Sequence, residues 1–205
     1  HRRWGHPVDP VRRRRAEDIA ALSSLGIAHE HWPYLDCIYR RDKDRDEFLY
    51  TSEGALFGEV ASGDGWLVEA LVRRVKRRFG QNGSVVFAPL SAGGHVDHQL
   101  VRLAARRLSA AGYCVTYYED YPYAEHPEEV AAALSRWDTP SQSYAVTLSE
   151  QELGAKSAAI LKYESQLAVL FGGATAVSER VRSYAEVVGA GRGLAERYYW
   201  WISDA

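Results

Sequence analysis

The chain has 205 residues, 46% of them apolar, enough for one domain with a sizeable core. Its 25 basic and 27 acidic side chains leave a net charge of −2, so no global pull toward nucleic acid or an anionic membrane follows. Two cysteines, Cys37 and Cys114, in no CxxC pattern, exclude a disulfide scaffold and a thiolate zinc site. No apolar run approaches the roughly 18 residues of a membrane span, and no signal peptide is evident, so a cytoplasmic location is expected.

In chain order, Asp9 and Pro10 read as an N-cap and a proline at the first helical position. The helix runs through "VRRRRAEDIAALSSLG" and stops at Gly26. "AHEHWPYLDCIY" reads as a strand or loop, and the charged, glycine-bearing residues 40–64 as an excursion over the surface. Asp64 is expected to cap the helix "GWLVEALVRRVKRRF", closed by Gly80, with Leu67, Leu71, Val75 and Phe79 as its apolar stripe. Ser84–Leu90 is an unbroken apolar run with β-branched residues, expected as a central strand covered on both faces. A helix bearing Leu100, Val101, Ala104 and Leu108 follows, then a strand at "YCVTYYE", a short helix at "HPEEVAAALSRW" and a strand at "SYAVTLS". "SEQELGAKSAAILKYESQLAVLF" reads as one long helix burying Ile160, Tyr163, Leu167 and Leu170, and a final helical stretch ends near "AERYYWW". This alternation predicts an α/β fold, a single domain over 1–205, with a mostly parallel sheet flanked by helices.

The segment "SAGGHVDH" follows the 84–90 strand, and ligands in open α/β sheets bind at the carboxyl ends of strands. Gly93 and Gly94 permit a tight turn and close approach of a ligand. His95 and His98, three apart at a helix start, can reach one crevice, and neutral imidazole is a common zinc donor. Asp97 can fix the tautomer of a working histidine. A bare HxxH is equally compatible with a structural or capping role.

The motif "GGHVDH" after an apolar strand resembles the second signature of the PIG-L/LmbE family of zinc-dependent N-deacetylases. "RRRRAEDIAALSSLGI", "WPYLDCIYR", "AKSAAILKYESQL" and "AERYYW" resemble further pieces of that family in the same order, from about residue 10 to residue 201. The resemblance implies a Rossmann-like fold and a metal-dependent amidohydrolase that removes an N-acetyl group from an amino sugar or its conjugate. It implies Zn2+, or another divalent metal, held by His98. His95 would stabilise the oxyanion or protonate the leaving amine, oriented by Asp97, whose charge favours imidazolium and raises the His95 pKa. Arg14 and Asp36 would contact substrate. From the residues alone, Arg14 equally suits an intrahelical pair with Glu17, and Asp36 a pair with a nearby arginine.

The family's first signature, His-Pro-Asp-Asp-Glu, supplies two ligands and the general base and has no counterpart here. "GHPVDP" at 5–10 imitates it, but Asp9 suits an N-cap, so His6 and Asp9 are read as structural and the family's N-terminal strands as missing. The arginine runs at 12–15 and 73–78 read as solvated helix faces rather than a nucleic-acid patch. Tyrosines in "YYEDYPYAEHPEE" suit a sugar-stacking wall or a packed lid, and Trp200 and Trp201 suit docking onto the domain or onto a second copy in a homo-oligomer. The competing readings are a non-catalytic Rossmann-like module binding a sugar or nucleotide, and an inactive fragment of the deacetylase. The absence of a GxGxxG turn weakens dinucleotide binding.

Overall fold

A computed structural model describes residues 9–42, 44–81, 83–137 and 140–201. His6 lies outside them. The regular elements are α1 (Pro10–Ser24), α2 (Glu53–Leu56), α3 (Trp66–Phe79), β1 (Val85–Pro89), α4 (Val96–Ala110), β2 (Cys114–Tyr118), α5 (Pro127–Ser135), β3 (Ser141–Leu148), α6 (Glu150–Ile160), α7 (Glu164–Phe171), α8 (Val177–Gly189) and β4 (Leu194–Trp201). The strand order is β1-β2-β4-β3. β1 pairs with β2 in parallel, Val85 opposite Cys114 and Pro89 opposite Tyr118. β2 pairs with β4 antiparallel, Tyr117 opposite Tyr199. The sheet is therefore mixed rather than mostly parallel. The cause is the last segment: α8 stops at Gly189, and the "AERYYWW" stretch expected at the end of a helix is strand β4. Its aromatic residues suit a pleated, half-buried surface.

The chain divides into two compact units, residues 1–33 with 145–196, and residues 34–144 with 197–205. In the first unit, Asp9 caps α1 by accepting the Val11 N–H at 3.0 Å, and Gly26 beyond the helix has φ 68°. The expected long helix is two helices, α6 and α7, interrupted at Tyr163 (φ −86°, ψ 54°). A reciprocal capping box, Ser149 with Glu152, starts α6. The start of α7 is served from another element. Glu17 of α1 accepts the Ser165 N–H at 2.9 Å and its hydroxyl at 2.6 Å, and Asp18 accepts the Tyr163 hydroxyl at 2.6 Å. A buried carboxylate thus satisfies an orphan amide of α7, where it also meets the positive end of the helix dipole. Leu153, Ala159, Val177, Val181, Ala185 and Val188 are buried on α6 and α8.

In the second unit, α4 is the crossover between parallel strands β1 and β2 and buries Val96, Leu100, Ala104, Ala105 and Leu108; Val101 stays exposed. α3 buries Leu67, Val68 and Val72, a stripe rotated from the expected one, which leaves Phe79 exposed. Among the described residues β1 ends the strand order, and Val85 and Phe87 are exposed. Residues 40–64 are not a plain surface excursion. Arg40, Tyr50 and Asp64 are buried, because the Arg40 Nε pairs with Asp64 Oδ2 at 2.8 Å and the Tyr50 hydroxyl donates to the same oxygen at 2.9 Å. Asp64 consequently does not cap α3, whose N-cap is Gly65 without a side-chain bond. Trp201 stacks on Trp137 with ring centroids 3.4 Å apart, and Trp200 meets Tyr144, so both tryptophans have partners inside this unit.

Candidate active site

The site lies at the carboxyl ends of β1 and β2. After Leu90 the chain turns sharply: Ser91 has φ 71°, Gly93 φ 77° and Gly94 φ 71°. For Ser91 that left-handed conformation costs on the order of 1 kcal/mol or more, a strain that concentrates at functional turns. Glycine is required at position 93 for a second reason. A Cβ there would come within 2.7 Å of the Tyr123 ring. Gln99 secures the turn from α4, its amide donating to Gly58 O at 2.7 Å and Gly94 O at 2.6 Å.

His95 (φ −60°, ψ 132°) is the N-cap of α4, and its Nδ1 accepts the Asp97 N–H at 3.3 Å. An imidazole that accepts at Nδ1 carries its neutral-state proton on Nε2. That Nε2 lies 3.8 Å from Cys37 Sγ. Burial lowers the His95 pKa, with His98 adding to the fall, and this outweighs the raising effect of Asp97. The raised value expected from Asp97 alone is thereby corrected. The hydrogen bond and ion pair of the Asp97 carboxylate go to the 37–40 segment: Oδ2 accepts the Cys37 N–H at 3.3 Å and Oδ1 pairs with Arg40 Nη2 at 2.5 Å.

His98 points from the first turn of α4, with its side chain 36% exposed, and its Nδ1 meets Asp120 Oδ1 at 2.5 Å. Asp120 is buried and its other oxygen accepts the Ala92 N–H at 3.0 Å, so one carboxylate from the end of β2 ties the glycine turn to the His98 ring. With Nδ1–H donated to Asp120, the Nε2 lone pair of His98 is left to a ligand, the arrangement typical of a metal-binding histidine. The His95 and His98 rings lie 5.5 Å apart, and Phe57 and Tyr123 flank them, Phe57 5.4 Å from His95 and Tyr123 6.2 Å from His98.

Asp36 caps the short turn Cys37–Tyr39 by accepting the Ile38 N–H at 3.3 Å. Arg14 is half-buried on α1, in the first unit. Sequence reasoning singled out His95, Asp97 and His98, which the turn assembles, and passed over Asp120, Arg40, Gln99 and Phe57. The position of Asp120 two residues past the end of β2 was the available signal for it.

Cys37, His95 and Asp97 form a second set of donors, their ligating atoms within 4.8 Å of one another. The members of this set also have other interactions. Burial, then the charges of Asp97 and Asp36, push the Cys37 thiol well above its usual range, and Asp97 is already committed to Arg40. The donor chemistry of His98, a neutral imidazole held by a carboxylate, fits a divalent ion such as zinc.

No protein-family model matches the chain. It is 31% identical over 166 residues to a 2′-N-acetylparomamine deacetylase of Niallia circulans, covering 79% of this chain and 56% of that protein. It is 35% identical over 121 residues to one of Streptomyces fradiae, covering 58% of this chain and 40% of that protein. The relatives are deacetylases. The chain spans about half the length of these curated relatives. In fold it is similar to the zinc-inhibited form of a teicoplanin deacetylase, with TM-score 0.80 and 25% identity over 97% of this chain and 77% of that one. An A40926 pseudoaglycone deacetylase matches with TM-score 0.68 and 26% identity over 97% of this chain and 74% of that one. The curated relatives and these structural neighbours are alike named as deacetylases, and one neighbour is a zinc-inhibited form. Among the described residues no helix is long and apolar enough to cross a membrane.

Proposed function

We infer that this chain carries the catalytic core of a zinc-dependent N-deacetylase acting on an N-acetylated amino sugar or its conjugate. The observation that carries the reading is the His98–Asp120 pair beside His95, at the carboxyl end of a βαβ unit, in a chain whose relatives are deacetylases. The parallel β1–α4–β2 unit, with the histidine turn at its crest, supports a Rossmann-like architecture for a single deacetylase domain over residues 1–205.

His98 would hold the metal through Nε2, with Asp120 keeping its Nδ1 proton in place. When bound, zinc lowers the pKa of a coordinated water toward about 7 and polarises the acetyl carbonyl. His95 carries its neutral-state proton on Nε2, from which it donates to the developing oxyanion. Its lowered pKa keeps the ring neutral, so it starts as a hydrogen-bond donor rather than an imidazolium. Asp97 holds the ring from the Nδ1 side through its backbone N–H. Phe57 and Tyr123 form apolar walls that suit an acetyl group or a sugar face. Arg14 and Asp36 are assigned to substrate binding on the family resemblance.

The test is hydrolysis of 2′-N-acetylparomamine and of other N-acetylated amino sugars by the protein that carries this chain. Acetate and free amine are expected to appear in equal amounts, to stop on chelation and to resume on adding zinc. Failure of the zinc-loaded protein to deacetylate any such substrate would overturn the reading.

A further inference from the structure

We propose that Arg40 is a positioning residue, which sets the orientation and tautomer of His95 through Asp97. Arg40 is 6% exposed, and its guanidinium holds three groups at once. Nη1 donates to the Leu35 carbonyl at 3.0 Å, Nε pairs with Asp64 at 2.8 Å, and Nη2 pairs with Asp97 at 2.5 Å. The Tyr50 ring lies 5.6 Å from Cζ, and the Tyr50 hydroxyl donates to the same Asp64 oxygen that Nε meets. A guanidinium reaches these three groups from three separate nitrogens, whereas an ammonium is a single point charge.

The consequence falls on Asp97. With Oδ1 held by Arg40 and Oδ2 by the Cys37 N–H, both carboxylate oxygens are engaged on the side of the 35–40 loop. Asp97 then meets His95 through its backbone N–H, which Nδ1 accepts. Released from Arg40, the carboxylate would be free to turn toward His95, one of whose ring nitrogens lies within 4.8 Å of a carboxylate oxygen. A carboxylate can only accept, so it would draw the imidazole proton to Nδ1 and rotate the ring off its cap. Nε2 would then lose the proton that the site needs for donation.

The kinetic part of this inference rests on the deacetylase reading; the spectroscopic part does not. Arg40→Met alone strands the buried Asp64 carboxylate and frees the partly exposed Asp97, and is expected to lower the melting temperature as well as turnover. The informative protein is Arg40→Met/Asp64→Asn, in which the charge stranded beside Tyr50 is removed and Asp97 is left unheld. Its melting temperature should recover most of the loss. Its kcat should stay about tenfold or more below wild type, with KM within about twofold. Arg40→Lys, which keeps the charge and lacks the fork, should fold and show the same loss to a smaller degree. The ring nitrogen chemical shifts of His95, read by 15N NMR on wild type and both variants, should report Nε2–H in wild type and a population of Nδ1–H in the variants. Recovery of kcat together with stability in the double variant would make Arg40 purely structural. An unchanged His95 ring spectrum would overturn the proposal whatever the activity. If wild-type protein hydrolyses no acetylated amino sugar, the deacetylase reading fails and the ring spectrum alone decides the role of Arg40.

Discussion

At the scale of single residues, two histidines of one motif are given different work by their neighbours. His98 has a carboxylate on Nδ1 and an outward Nε2; His95 has a backbone N–H on Nδ1 and a buried flank. His98→Ala should therefore lower metal content and affinity sharply, checked by metal analysis after dialysis; unchanged content would remove it from the ligand set. Asp120→Asn keeps an acceptor for the Ala92 N–H but weakens the hold on the ring, and a 10–100-fold drop in metal affinity is expected. His95→Ala should keep its metal and lose rate by a factor of about 10² or more. Zinc loss in that variant, measured beside its kinetics, would make His95 a ligand instead. HxDH and the glycines before it were readable from sequence because the residue types themselves carry the chemistry. Asp120 and Arg40 were not, since an acid in "YYED" or an arginine in "IYRRD" looks the same whether solvated or buried.

At the scale of elements, the start of α1 and the stops of α1 and α3 came out as read from local chemistry, whereas the expected Asp64 cap of α3 did not. Asp9–Pro10, Gly26 and Gly80 mark the ends of α1 and α3. The break between α6 and α7 was not legible, because the group that caps α7 comes from α1, 148 positions away. Glu17 is 9% exposed and takes two hydrogen bonds from Ser165 and one from Arg13. Glu17→Ala leaves the Ser165 amide without its carboxylate and should cost about 2 kcal/mol, measured by denaturant unfolding at pH 7. A loss under a few tenths would mean that water replaces the cap without penalty. The stripe of α3 was misjudged by a rotation of the helix, since Leu67 and Val68 are both buried and period alone does not say which flank meets the neighbour.

At the scale of the whole molecule, burial of tyrosines links stability to high pH. Burial, reinforced by Asp64, pushes Tyr50 up to about 12, and burial, reinforced by Glu119, pushes Tyr199 up to about 12. Both are raised above the ordinary value of about 10, so the fold favours the neutral phenol. Their contribution is fully present below about pH 10 and is lost as pH rises from there toward 12, while the unfolded chain ionises first. Denaturant titrations from pH 8 upward should show level stability followed by a fall beginning near pH 10, with phenolate absorbance of these groups lagging in the folded protein. Constant stability through pH 11 would contradict the assignment. The strand order belongs to this scale as well. Val85–Pro89 reads as a central strand by composition, yet among the described residues it ends the order with Phe87 exposed, because a strand's place depends on which partners pair with it.

By itself the sequence determined the α/β alternation, the cap-marked helices, the turn that presents His95 and His98, and a resemblance to deacetylases that the relatives support. Each of these rests on residues close in the chain, or on motifs whose order is kept. Only the tertiary structure decided that β4 enters antiparallel, that Glu17 starts α7, that Asp120 holds His98, and that Arg40 and Asp64 are buried beneath the turn. Those choices are made between groups tens of residues apart, and the desolvation that gives them their force exists only once the chain has closed around them.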